Sequence, residues 1–148
     1  MNIIRSLQRK TECSFFYDYK TVQQALRFMR SHGCVQVPVV NQDGRYLGTV
    51  SEGDFLWHII DWGGYEAAKD HKIAELLRRG APPALKITAS DDELRRAALC
   101  GAVIPIVDDR DMFVGVVPRE DIVQYFAEKS ATACLLKNEP ASYIMLRG

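Results

Sequence analysis

The stretch Arg45-Tyr46-Leu47-Gly48-Thr49-Val50-Ser51-Glu52-Gly53-Asp54 passes from strand to helix without a loop. Tyr46 to Val50 is a short apolar and β-branched run, which suits a buried strand. Ser51 is a residue type that caps helices, and Asp54 brings an acid into the first turn, where the helix dipole favours it. Phe55, Leu56, Ile59 and Ile60 continue at helical spacing. The pattern returns 67 residues later as Met112-Phe113-Val114-Gly115-Val116-Val117-Pro118-Arg119-Glu120-Asp121. Gly48 aligns with Gly115, Val50 with Val117 and Asp54 with Asp121. The chain is therefore read as two similar units in tandem.

Outward from the first junction, Val35 to Val40 is a strand, joined to Tyr46 by a hairpin over Asn41-Gln42-Asp43-Gly44. Pro38 cannot donate to a ladder, which predicts a sheet edge or the start of pairing. Further back, residues 3–9 read as a short helix and Ser14 to Tyr17 as a strand. Thr21 caps a helix over Val22–Arg30, which Gly33 ends in a left-handed conformation. A helix from Glu52 to about Asp61 closes the unit. Trp62-Gly63-Gly64 breaks the chain, residues 65–79 read as one or two helices, and Ala81-Pro82-Pro83 is a rigid connector. The second unit repeats the order: a strand over Leu85–Ile87, a helix over Asp91–Leu99, and a strand over Val103–Val107. A hairpin turn at Asp108–Asp111, poorer in glycine than the first, and a helix from Arg119 to about Lys129 follow. This divides the chain into a first unit (1–62), a helical and Pro-rich connector (63–84), a second unit (85–129) and a tail (130–148). In the tail, Tyr143–Leu146 fits a strand or a short helix equally well.

Composition excludes several classes. Of 148 residues 47% are apolar, enough for a core. Lys plus Arg equals Asp plus Glu at 19 each, so nothing favours non-specific binding to nucleic acid. No N-terminal apolar run suits a signal peptide, and no stretch suits a membrane span. The expectation is a soluble cytoplasmic protein whose four cysteines, without paired spacing, stay reduced. His32, His58 and His71 show no metal-ligand spacing and no Cys-x-x-Cys exists, so no metal site is expected. Cys34, with no base placed by sequence to activate it, reads as a structural thiol. Paired carboxylates, nucleophile–base spacing and a phosphate-gripping glycine loop are all lacking, which argues against an enzyme. Trp57 and Trp62 are read as packing on the core or on a partner subunit.

Val37-Pro38-Val39-Val40, its echo Ile104-Pro105-Ile106-Val107, and Gly48-x-x-Ser51-x-x-Asp54 resemble a tandem pair of CBS domains (a Bateman module) of the stand-alone bacterial type. The resemblance covers roughly residues 3–128. It implies an α+β fold of two units, each a small three-stranded sheet with two helices, packed about a pseudo-twofold axis that leaves two clefts. It also implies a homodimer, and an adenine nucleotide as ligand: AMP, ADP, ATP, S-adenosylmethionine or cyclic di-AMP. No further cofactor is required.

The resemblance carries Ser51 and Asp54 to a first site, with Cys34, Val35 and Val37 against the base and Thr21 nearby. It carries Asp121 to a second, with Ala102, Val103 and Ile104 against the base and Thr88 nearby. A first-turn Asp can accept from both ribose hydroxyls, and a helix N-terminus favours phosphate. Pro118 departs from the pattern by standing where a hydroxyl is usual; Arg119 beside it offers a cation to a phosphate instead. Ser51 and Asp54 also make a plain helix cap, the acid alone contributing ~0.3–1 kcal/mol. Two functions follow: a regulatory module that senses an adenine nucleotide and passes its state to a partner protein, or a ligand-free dimerisation or docking module.

Overall fold

Two copies of one strand order build the molecule. The structure, a computed structural model, describes residues 1–77 and 84–136, the side chains of 134–136 excepted. The Arg78-Arg79 pair, the Ala81-Pro82-Pro83 connector and the tail beyond 136 lie outside the described residues. The chain opens with α1 (Ile3–Ser6) and β1 (Gln8–Arg9). Then come β2 (Phe16–Tyr17), α2 (Val22–His32), β3 (Gln36–Val40), β4 (Tyr46–Ser51) and α3 (Glu52–Asp61). After α4 (Tyr65–Ala68) and a 3₁₀ turn (Ile73–Leu76), the order recurs as β5 (Leu85–Lys86), α5 (Asp91–Ala98), β6 (Val103–Val107), β7 (Phe113–Pro118) and α6 (Arg119–Leu136).

In the first sheet β3 lies between parallel β2 and antiparallel β4; in the second, β6 lies between β5 and β7 in the same senses. Both prolines thus sit in middle strands, not at an edge. Each is tolerated because the short parallel strand begins pairing one residue beyond it, at Val39 and at Ile106. A residue without an N–H costs the ladder nothing there. The helices form as their caps dictate. Thr21 accepts from the Gln24 N–H, and Gln24 returns a bond to the Thr21 N–H, a reciprocal capping box. Gly33 ends α2 at φ 65°, as its sequence position predicts.

Each unit closes on its own core. Val37, Val39, Val50 and Phe55 anchor the first; Leu94, Ile104, Ile106, Val117 and Ile122 anchor the second. Full burial of such a side chain is worth ~1.5–3 kcal/mol. Val40, Phe113 and Val116 form a third cluster where the units meet. The two hairpins meet about a pseudo-twofold axis: the Tyr46 N–H donates to the Asp111 carbonyl at 3.1 Å and the Phe113 N–H to the Gly44 carbonyl at 2.9 Å. The turns match as well. Asn41 Oδ1 accepts from the Asp43 and Arg45 N–H groups, and Asp108 Oδ1 from those of Arg110 and Met112. Where Gly44 adopts φ 87°, Asp111 adopts 62°, which an aspartate tolerates. The two Asp108 bonds, Met112 first, hold its carboxyl below the ordinary carboxylate range.

Residues 3–9 depart from the expected helix. Asn2 caps a helix of a single turn, and the chain then extends so that β1 pairs antiparallel with β7. Ile3 is buried in the second core, so the first residues complete the second unit and give its sheet a fourth strand. Gly115 makes this possible. Its φ is 155°, and a Cβ there would collide with the Gln8 carbonyl oxygen. A Cβ on its counterpart Gly48 would meet only the tip of Leu77, at 3.1 Å. At the other end, α6 runs to Leu136 rather than stopping near Lys129. Lys129 and Tyr125 on that helix donate to Asp91 Oδ2 at 2.8 and 2.9 Å, and the Met1 amine donates to Oδ1 at 2.9 Å. Among the described residues no helix is long and apolar enough to cross a membrane.

Two predictions follow from this packing. Gly115→Ala should cost about 1–3 kcal/mol by forcing β1 off β7, while Gly48→Ala costs clearly less. Urea unfolding measures both, and equal losses would contradict the close approach. Lys129 foremost, then the Met1 amine and Tyr125, hold the Asp91 carboxyl well below the usual carboxylate range. A depressed acid stabilises the fold above its unfolded pKa, about 3.9, and loses that contribution as pH falls through the folded value. Asp91→Asn should therefore be less stable than the wild type at pH 7, with the gap closing below about pH 4. A gap independent of pH would contradict the ion cluster.

Candidate functional site

The same alternation that fills the two cores opens a cavity between them. Along β3, Val37 and Val39 point into the first core while Gln36 and Pro38 face the other unit. Their cavity, about 320 Å³, is also lined by Cys34 and Val35 from the first unit and by Ala102, Val103 and Pro118 from the second. Its two halves are built alike. The Glu52 N–H at the start of α3 donates to the Val35 carbonyl at 3.1 Å; the Arg119 N–H at the start of α6 donates to the Ala102 carbonyl at 2.9 Å. Each helix N-terminus is thereby fastened to the segment that lines the cavity. Gln36 locks the units together, its Oε1 accepting from the Ala102 N–H at 2.6 Å.

The expected site residues divide into groups. Cys34, Val35, Ala102 and Val103 come together in the cavity, although they were expected in two separate clefts. Val35 is 55% exposed and offers an open apolar face. Val37 and Ile104 do not line the cavity; at 0% and 2% exposure they belong to the cores. Thr21 is the α2 cap. Thr88 is an exposed turn residue lining a different cavity, about 620 Å³, with Leu85, Ala97 and Cys100 on the flank of α5. It is also not the counterpart of Thr21. The repeat offset is 67 from β3 onward, but α5 is shorter than α2, and β5 pairs where β2 does at an offset of 69. Ser90 is the counterpart: its Oγ accepts from the Glu93 N–H and caps α5. The spacing of Ser90 and Glu93, a capping-box signature, carried that information.

Ser51 and Asp54 form the cap that their types predict. Asp54 Oδ2 accepts from the Ser51 N–H at 2.8 Å and from the Ser51 hydroxyl at 3.0 Å. Its Oδ1 is closed off from solvent. Asp54 lines neither cavity, nor does Asp121, a half-buried residue in the first turn of α6. Pro118 offers no side-chain acceptor, so this junction lacks the reciprocal cap of the first. Arg119 is exposed, and its Nε–H donates to the Gly101 carbonyl at 2.7 Å, which steadies the loop before Ala102. Burial raises the Cys13 thiol at the cavity's edge above its ordinary value and keeps it protonated. Burial likewise raises Tyr46, partly offset by its bond with Thr49. Sequence spacing also missed a contact: His58 and His71, with a chain break between them, meet nitrogen to nitrogen at 2.8 Å, and Glu75 lies beside them.

A family model described as CBS domain matches residues 11–61 and again 84–128. The chain belongs to the CBS-domain family. Solved CBS structures share its fold. CbpB in complex with c-di-AMP superposes with a TM-score of 0.73 at 18% identity, over 94% of this chain and 91% of that one. CbpB of Listeria monocytogenes, also with c-di-AMP, gives 0.76 at 15% identity over 89% and 99%. CBSX2 in complex with AMP gives 0.71 at 15% identity over 87% and 98%. No curated protein matches the sequence. The matched spans begin after β1.

Gln36 links the two CBS units, so Gln36→Leu should leave the Ala102 N–H without its acceptor and cost about 1–3 kcal/mol, toward the lower end because the group is half-buried. Urea unfolding checks this, and unchanged stability would remove Gln36 from the inter-unit contact.

Proposed function

We propose that this protein is a regulatory CBS module, working in the cytoplasm, that binds an adenine nucleotide between its two units. The observation that carries this reading is the cavity where Cys34 and Val35 meet Ala102 and Val103, beside two helix N-termini built alike. At about 320 Å³ it lies at the small end of the range for ligand pockets, which suits a nucleoside. Apolar Val35 and Val103 present a surface for a purine face. The α3 and α6 N-termini supply the polarity a phosphate needs. That CbpB and CBSX2 were crystallised with c-di-AMP and AMP supports an adenine ligand here.

On this reading Asp54 becomes the ribose acceptor by leaving its cap, since it does not line the cavity while Ser51 holds it. Its carboxylate turns from its own cap to the two ribose hydroxyls, so binding trades a capping bond for charge-assisted bonds to the ligand. Asp121 plays the same part in the second unit, with Arg119 released from Gly101 toward phosphate. The ligand touches both units, so it favours one angle between them, and a partner protein reads that angle. Coupling of this type is ~1–3 kcal/mol and acts in both directions.

Leu56 and Val123 occupy the same place in α3 and α6, 67 residues apart, and are 53% and 57% exposed. Trp57 and Ile60 on α3 are exposed as well, and apolar side chains left open on these helices fit a second copy of the chain, as expected of a homodimer. The same side chains keep a second reading alive, a docking or dimerisation module without ligand.

Thermal shift with AMP, ADP, ATP, S-adenosylmethionine and cyclic di-AMP tests the proposal. At 100 times its dissociation constant a ligand adds ~2.7 kcal/mol of stability. Asp54→Asn should lower affinity at least about tenfold, since a charge-assisted bond is worth ~1.5–3 kcal/mol. No shift from any of the five would favour the ligand-free module, and full retention of binding by the variant would move the site elsewhere.

A further inference from the structure

Outside the nucleotide cleft, three side chains from separate segments turn their donor atoms toward one point. His58 lies on α3, His71 in the loop after α4, and Glu75 in the 3₁₀ turn. His58 Nε2 is 2.8 Å from His71 Nδ1, and that nitrogen is 3.6 Å from Glu75 Oε2. All three donor atoms lie within 4.8 Å of one another. We infer that His58, His71 and Glu75 form a binding site for a divalent transition-metal ion of the zinc type.

Tetrahedral coordination at ~2.0–2.1 Å places neighbouring ligand atoms about 3.3 Å apart. The two His71 separations, 2.8 and 3.6 Å, bracket that value, and the third pair lies within 4.8 Å, so side-chain rotation is what an ion would require. Two histidines and a carboxylate make a borderline set suited to Zn²⁺ or Co²⁺. They leave a fourth position for water or an outside ligand. Both imidazoles are half-buried and Glu75 is exposed, which keeps one side of the site open to an entering ion.

The imidazoles are already held. The Trp62 ring packs edge-on against His71 with centroids 4.5 Å apart. The His71 backbone is tied at both ends, its N–H donating to the Ala68 carbonyl and its carbonyl accepting from Val22, at 3.0 and 2.9 Å. An ion would replace the N–H···N bond between the rings. The bridging proton moves to the other nitrogen of its own ring, a change of tautomer with no net proton released. The site would bind α3, one turn beyond Asp54, to the segment leading into the second unit. The inference does not rest on nucleotide binding.

The test is a Co²⁺ titration of untagged, chelator-treated protein without nucleotide, followed by displacement with Zn²⁺. The expected result is one equivalent of Co²⁺ with visible bands of a nitrogen and oxygen ligand set and no thiolate charge-transfer band. Glu75→Gln and His58→Gln should each weaken binding at least about tenfold. Circular dichroism establishes whether His58→Gln is folded; if it is not, exposed Glu75→Gln decides alone. Absence of saturable binding, a thiolate band, or unchanged affinity in either folded variant would overturn the site.

Discussion

Two backbone hydrogen bonds across the pseudo-twofold axis, Tyr46 to Asp111 and Phe113 to Gly44, set the relation between the halves. Each hairpin offers an unpaired backbone edge at its tip, and an open edge invites association. Here each edge is satisfied by the other, and the apolar contact of Val40, Phe113 and Val116 backs the pair. Because the repeat is internal, the interface needs no second chain. Away from the tips, a gap lies between the units where β3 and β6 begin. Gln36 spans that gap with its bond to Ala102 and keeps it from closing or gaping.

The gap has chemical character because of alternation along the strands. Successive side chains point to opposite faces. Val37 and Ile104 serve the cores, so their neighbours Gln36 and Val103 must face the cavity. The strand-to-helix junction adds the rest. With no loop between β4 and α3, or between β7 and α6, the helix N-termini are pinned to the cavity-lining segments through Val35 and Ala102. Core, interface and cleft are thus parts of one pattern, which duplication writes twice.

Most of this was legible in the sequence because it depends on local spacing. The junctions, the hairpins and the α2 and α3 caps follow from residue types a few positions apart. What was not legible depends on distance along the chain. β1 needed Gly115, over a hundred residues away, to be recognised as a landing strip for backbone. The bonds by which Asp91, on another helix, gathers Tyr125 and Lys129 of α6 were also out of reach of local spacing. Thr88 is not the counterpart of Thr21 because a constant offset does not carry across a helix that has lost residues. Pro38 allowed either a sheet edge or the start of pairing, and only the folded sheets decide between them: the parallel neighbours begin one residue after Pro38 and after Pro105. His58 and His71 escaped notice because a Gly-Gly break lies between them, and only the folded connector brings them together.

A crystal structure of the chain grown with AMP and with cyclic di-AMP tests the central claim most directly. The account predicts adenine density between the units, against Val35 and Val103, with the Asp54 or Asp121 carboxylate turned to the ribose. Density only in the cavity flanking α5, or an empty inter-unit cleft at saturating ligand, would contradict it.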